Sequence, residues 1–204
     1  METVFKSIDI EKRDKIINSA LEEFGEYGFE KASINSIVKN ASISKGFLYH
    51  HLNGKEELYN YLEDFSFRIT LDAIKNNIDW KEEDIFIRIK QIAQIKFKLL
   101  HRYPYIYKFF TQSLKNKTPK DIEKLLKKQP LELSKKVYEY NIDFSKFKDQ
   151  ENIKEQVDII RWSIEKFGEE YVDKVKNSKD SFDYNIVWKE FYNYMSVLKK
   201  ALYK

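Results

Sequence analysis

The stretch ASINSIVKNASISKGFLYHHLNGKEE, residues 32–57, decides the fold. Ser33 stands immediately before Ile34, Ile37, Val38 and Ala41, which repeat at the spacing of a single buried helical stripe. A serine hydroxyl in that place accepts an orphan backbone N–H, so a short helix of about two turns is predicted to start there. Ser42-Ile43-Ser44 reads as a brief turn in which Ile43 tucks inward and Ser44 caps a third helix running to about His51. Asn53 is the next cap candidate. Gly54-Lys55-Glu56-Glu57 then opens a long helix with acids in its first turn, where the helix dipole favours them.

Upstream, a first helix is read from Glu11 to about Tyr27. Ile17, Ala20, Leu21 and Phe24 fall on one face, Glu22, Glu23 and Glu26 on the other, and Gly28 stops it. Downstream, the long helix carries Leu58, Leu62, Phe65 and Ile69 as its stripe and ends near Asn76-Asn77. A helix of about Glu82 to Leu100 follows, with a break at His101 to Pro104. A shorter aromatic helix then runs to about Leu114, and another starts after Thr118-Pro119. Proline clashes with the preceding turn of a helix, so Gln129-Pro130 is a kink or a new start. Residues 141–150 read as a connection, and two long helices, about Gln150 to Lys176 and Phe182 to Tyr203, close the chain.

Only five glycines and three prolines occur in 204 residues, and apolar residues recur at helical rather than alternating spacing. The fold class is therefore all-α, with about nine helices. Absence of cysteine excludes a disulfide framework, a thiol nucleophile and a cysteine-ligated metal. No serine–histidine–acid order, phosphate-cradling glycine loop or metal-ligand spacing appears, so neither an enzyme nor a bound cofactor is expected. The charged N-terminus does not resemble a signal peptide, and no apolar run reaches bilayer length. A soluble, cytoplasmic protein with no membrane partner is expected.

A formal net charge of +4 is too small to indicate a partner, but its distribution is informative. Residues 1–30 carry Lys6, Lys12, Arg13 and Lys15 against eight acids, whereas residues 31–55 carry Lys31, Lys39, Lys45 and Lys55 and no acid. In a helix-turn-helix the first helix braces the second, which must expose its N-terminal half to the major groove of DNA. Leu48 and Leu52 lie four apart and can pack inward with Ile43. That turns Gly46, Tyr49 and His50 outward, with Lys45 and Phe47 at the margins. Tyr49, His50 and Lys55 suit phosphate oxygens, and Lys45, Gly46 and Phe47 are placed to reach base edges. His50 and His51 are helix neighbours pointing about 100° apart, so they cannot chelate one ion together, and no metal is expected.

The pattern Ile16-xxx-Ala20-Leu21-xx-Phe24-xxx-Gly28-Phe29, continued by Ala32-Ser33-Ile34-xx-Ile37-Val38-xx-Ala41 through Ser44-Lys45-Gly46-Phe47-Leu48-Tyr49-His50-His51-Leu52 to Lys55-Glu56-Glu57-Leu58, resembles the DNA-binding domain of the tetracycline-repressor (TetR) family. The resemblance implies an N-terminal helix-turn-helix domain of three helices over 1–54 and a larger effector-binding and dimerising helical domain over 55–204. It also implies DNA contacts at Ser33, Asn35, Ser44, Lys45, Gly46, Phe47, Tyr49, His50, His51 and Lys55. Two positions depart from the family pattern. Ser42 replaces the usual turn glycine, and Phe47 replaces a small threonine; its ring can meet a thymine methyl or lie on the protein.

Two operator half-sites need two reading heads, so a homodimer on a near-palindromic duplex is expected. Ile153, Val157, Ile160, Ile164 and Phe167 in one closing helix, and Val187, Phe191, Tyr194 and Leu198 in the other, form seams that suit a dimer interface. The same seams also suit intramolecular packing, and apolar residues such as Ile159, Trp188 and Met195 lie off them. Family members typically bind a small molecule. Phe97, His101, Tyr105 and Phe109, with Arg161, Trp162 and Glu165, are the candidate pocket wall for a largely apolar effector. The alternative is the same DNA-binding fold working constitutively or under a protein partner.

Overall fold

Asp9 starts the first helix, its carboxylate accepting the N–H groups of Glu11 at 2.9 Å and Lys12 at 3.3 Å. The computed structural model describes residues 5, 8–115, 117–121, 129–177 and 184–204. Among these, nine α-helices occur and no strand: α1 Ile10–Lys31, α2 Ile34–Asn40, α3 Lys45–His51, α4 Lys55–Asn77, α5 Ile85–Arg102, α6 Ile106–Leu114, α7 Gln129–Glu139, α8 Ile153–Asn177 and α9 Tyr184–Leu202. Gly28 breaks α1 as expected, with φ +70° and ψ 176°, a conformation that L side chains rarely adopt. Pro130 falls in the first turn of α7, where its missing N–H costs little. The expected separator at Asn177-Ser178-Lys179-Asp180 lies largely outside the described residues.

Packing divides the chain into two units, one from 1–76 and 96–130, the other from 77–95 and 131–204. This differs from a division at residue 54, because α1 leans on α6. A Cβ at Gly25 would come within 3.2 Å of the Phe109 backbone nitrogen, so glycine lets the two helices close up. Phe24, Tyr59 and Phe109 interlock there, with ring centroids 5.1 Å (Phe24–Tyr59) and 5.3 Å (Tyr59–Phe109) apart. Polar ties add to this. Asp14 accepts from Arg102 Nε and from the Tyr103 hydroxyl, each at 2.8 Å, and Asn18 Nδ2 donates to the Arg102 carbonyl at 2.9 Å.

The second unit surrounds a core of Ile85, Phe86, Ile89, Ile142, Phe147, Ile160, Phe191, Met195 and Tyr203. Arg88 is fully buried within it and donates to the carbonyls of Val137 (3.2 Å), Tyr140 (2.5 Å) and Glu82. Two of these carbonyls close the C-terminal end of α7, where a cation is favoured. The connection over 141–150 contains a short 3-10 turn, Phe144–Lys146, and a single bridge pairs Phe147 with Tyr203.

The chain's own core claims much of the expected dimer seam. Ile160 and Phe191 belong to the core, Val187 is buried, and Ile153, Val157, Ile164, Phe167 and Leu198 pack against the core; of the set, Tyr194 alone is exposed. A stripe at helical spacing reveals that a helix has something to cover, but not which molecule covers it. Apart from Tyr194, the exposed large apolar side chains described on α8 and α9 lie off the seam, at Ile159, Trp162, Ile186, Tyr192 and Val197.

Candidate nucleic-acid interface

The interface is assembled by two serine caps. The Ser33 hydroxyl accepts the Ser36 N–H at 3.4 Å and starts α2; the Ser44 hydroxyl accepts the Phe47 N–H at 3.0 Å and starts α3. Between them Ser42 holds φ +55°, the strained turn expected where a glycine is usual, and the Ile43 N–H donates to the Val38 carbonyl at 3.0 Å. Ile37, Ala41, Leu48 and Leu52 are buried, so the back of α3 is clamped against α2 and its neighbours. Ile43 is only half-buried.

The front of α3 is correspondingly open. Asn35, Ser44, Lys45, Gly46, Tyr49 and His50 are exposed, and no acid occurs between residues 31 and 55. At Gly46 an added Cβ would meet only Ser44 Oγ, at 3.9 Å, so the protein's own packing does not demand glycine there. The bare backbone instead leaves room for something to approach from outside. Lys45 extends along the Tyr49 ring, 5.8 Å from its centroid.

Three of the expected contact residues are engaged within the chain. The Phe47 ring lies 3.7 Å beneath the Lys12 ammonium and 5.0 Å from the His51 ring, so of its two expected placements it takes the one on the protein. His51 is half-buried between Phe47, His50 and Phe5, whose own ring stands edge-on to Tyr61 at 5.0 Å. Lys55 donates to the Glu30 carbonyl at 3.1 Å and sits 5.0 Å from the Phe29 ring centroid, tying the end of α1 to the start of α4. Asn53 plays the reverse of the expected cap role: its backbone N–H donates to the Glu57 carboxylate at 2.6 Å.

Sequence reading missed Glu23. It was assigned to the polar face of α1, yet it is buried and accepts the Ser33 N–H at 2.8 Å. Lys12 was missed as well, since nothing in residues 1–30 marks it out from other α1 cations. Among the described residues no group of three potential metal ligands occurs.

The expected effector residues are distributed over both units. Phe109 is fully buried and close-packed against Phe24 and Tyr59, so it serves as core. His101 is exposed, and Phe97 and Tyr105 are half-buried. Trp162 is 57% exposed, with Arg161 paired to Asp158 at 2.8 Å and to Glu165 at 3.7 Å. Aromatics at helical spacing are more often packing than pocket, as Phe109 is, whereas Trp162 is left largely open to solvent. Polar groups turn up elsewhere in the first unit, on α4 and α6. Ser66 Oγ is buried without a hydrogen-bond partner, and burial pushes the Tyr107 hydroxyl up beside Thr70. Glu63, also buried, pairs with Lys117 at 3.0 Å.

Residues 16–62 match the family described as bacterial regulatory proteins, tetR family. Over 67 residues the chain is 34% identical to the biofilm operon icaADBC HTH-type negative transcriptional regulator IcaR of Staphylococcus epidermidis, covering 33% of this chain and 36% of that protein. Over 46 residues it is 50% identical to the HTH-type transcriptional regulator UidR of Escherichia coli, covering 22% of this chain and 24% of that one. The chain is thus matched over well under two thirds of either relative's length. In fold it is similar along nearly its whole length to the fatty acid degradation regulator FadR from Bacillus halodurans, with a TM-score of 0.61 at 18% identity, covering 92% of this chain and 97% of that one.

Proposed function

We propose, for a chain whose residues 16–62 match the tetR family of bacterial regulatory proteins, that it is a sequence-specific DNA-binding transcriptional regulator working as a homodimer on a near-palindromic operator. The observation that carries the reading is the two-sidedness of α3. Its back, Leu48 with Leu52 just beyond its end, is buried, while Lys45, Gly46, Tyr49 and His50 face outward in a window free of acids. A short helix braced from behind, with cationic and hydrogen-bonding groups in front, fits the major groove and its phosphate walls. Repression is the expected sign of control, supported by the name of IcaR as a negative regulator.

The homodimer reading is supported by the apolar surface that α8 and α9 leave open at Ile159, Trp162, Tyr194 and Val197. A small-molecule effector is the finer part of the proposal, supported by the buried, unpartnered Ser66 hydroxyl. An effector that prefers a head separation unable to span two half-sites releases DNA by its differential affinity for the two states.

Selection of duplexes from a random pool by the purified protein, followed by footprinting, tests the reading. The expected product is a site with inverted half-sites about one helical turn apart. Recovery of no enriched sequence overturns it, and enrichment of a lone half-site removes the dimer.

A further inference from the structure

The Lys12 ammonium lies 3.7 Å from the centroid of the Phe47 ring, and Phe47 sits in the first half of α3, the half that a helix-turn-helix presents to the groove. From this placement we infer that Lys12 is a phosphate-binding residue of the DNA interface, positioned by Phe47; the inference rests on the DNA-binding reading above. Lys12 belongs to the first turn of α1, outside the segment that carries the other expected contacts.

The chemistry follows from the ring. An ammonium has three donors, and a phenyl face attracts the cation electrostatically without accepting a conventional hydrogen bond. Lys12 is therefore held by an attraction that leaves its N–H groups able to meet a phosphate oxygen. Among the described residues no carboxylate pairs with it, whereas Arg102 is paired to Asp14 and Lys108 to Glu26. The Phe47 backbone is held by its N–H on Ser44 Oγ at 3.0 Å, and its ring packs against the His51 ring at 5.0 Å. The cation is thus tethered to the reading helix by a defined contact instead of sweeping freely through solvent. The major groove is about 12 Å wide and walled by phosphates on both sides, so a cation resting on a side chain of the helix that enters it lies within reach of a wall. Phe47 in this arrangement works as a platform for a positive charge, which accounts for a bulky ring where the family uses a small residue.

The test uses the full chain and a fluorescently labelled duplex of arbitrary sequence, with affinity followed by anisotropy from about 50 to about 200 mM salt. Lys12→Gln is expected to weaken binding to every duplex alike and to flatten the dependence of log K on log salt by about 0.9 per bound protomer. Lys12→Arg, which keeps the charge and the stacking, retains the slope. In a Phe47→Leu background the effect of Lys12→Gln shrinks, because the platform has gone. An unchanged slope in Lys12→Gln overturns the phosphate role, since a merely structural lysine alters affinity without altering counterion release. An equally large Lys12→Gln effect with and without Phe47 overturns the positioning. If the unaltered protein binds no duplex at all, the DNA-binding reading falls and this inference falls with it.

Discussion

The carboxylate of Glu23, 7% exposed, accepts the backbone N–H of Ser33 at 2.8 Å, ten residues further along the chain. Ser33 is the residue whose hydroxyl caps α2, so one buried acid fixes the point where the chain turns from α1 into the brace of the reading helix. Glu23→Ala leaves that N–H without its partner and is expected to cost about 1–3 kcal/mol. Glu23→Gln keeps an acceptor oxygen and should lose less. Thermal melts in the order wild type, Gln, Ala check this; coincident melts would refute it.

The helix-turn-helix was legible because its signals are local. A serine ahead of an apolar stripe, a second serine two residues after a turn, and a glycine at a positive φ each act within a few residues of themselves. What was not legible acts at a distance. Glu23 stands between Glu22 and Phe24 in sequence, and only the folded-back start of α2 makes it an inward acceptor. Lys55 reads as a free cation until the Glu30 carbonyl, 25 residues upstream, is brought to its ammonium. The seams of α8 and α9 were read correctly as apolar stripes, but assigning them to a partner needed to know which face the chain's own core would claim.

Arg88 tests the second unit. Its guanidinium reaches three carbonyls from two parts of the chain, a fork that an ammonium cannot reproduce from one position. Arg88→Lys retains the charge but strands at least one carbonyl in the interior, with an expected loss of about 3 kcal/mol. Chemical denaturation of the variant against wild type measures it. A midpoint within error of wild type would mean that water replaces the missing donors.

Tyr59 gives stability a dependence on alkaline pH. Burial, and secondarily the Glu63 charge, push its hydroxyl from 10.0 up to about 12. A group that holds its proton more tightly when folded stabilises the native state fully below the unfolded value. That contribution is lost as pH rises from 10.0 towards about 12, because the unfolded chain ionises first. Denaturation at a series of pH values should show stability falling through this window, and falling less steeply in Tyr59→Phe. Identical slopes for the two proteins would place the alkaline sensitivity on other tyrosines.

The division of α8 and α9 into core-packed and exposed apolar side chains separates two kinds of variant. Phe191 is 4% exposed and packs in the core cluster, against Phe167 at 5.8 Å and Trp188 at 5.6 Å. Phe191→Ala removes a large buried side chain and leaves a cavity, at an expected cost of about 3–5 kcal/mol to the protomer. Val197, by contrast, is 66% exposed and contributes nothing comparable to the core of its own chain. Val197→Glu should leave the melt of an isolated protomer nearly unchanged while placing a charge where a second copy would have to bury it. Analytical ultracentrifugation of the two variants is therefore expected to separate stability from assembly. Phe191→Ala lowers the melting temperature, whereas Val197→Glu shifts the species from dimer to monomer and shortens the footprint to one half-site. A Val197→Glu protein that sediments as wild type would mean that the dimer, if formed, uses a different face.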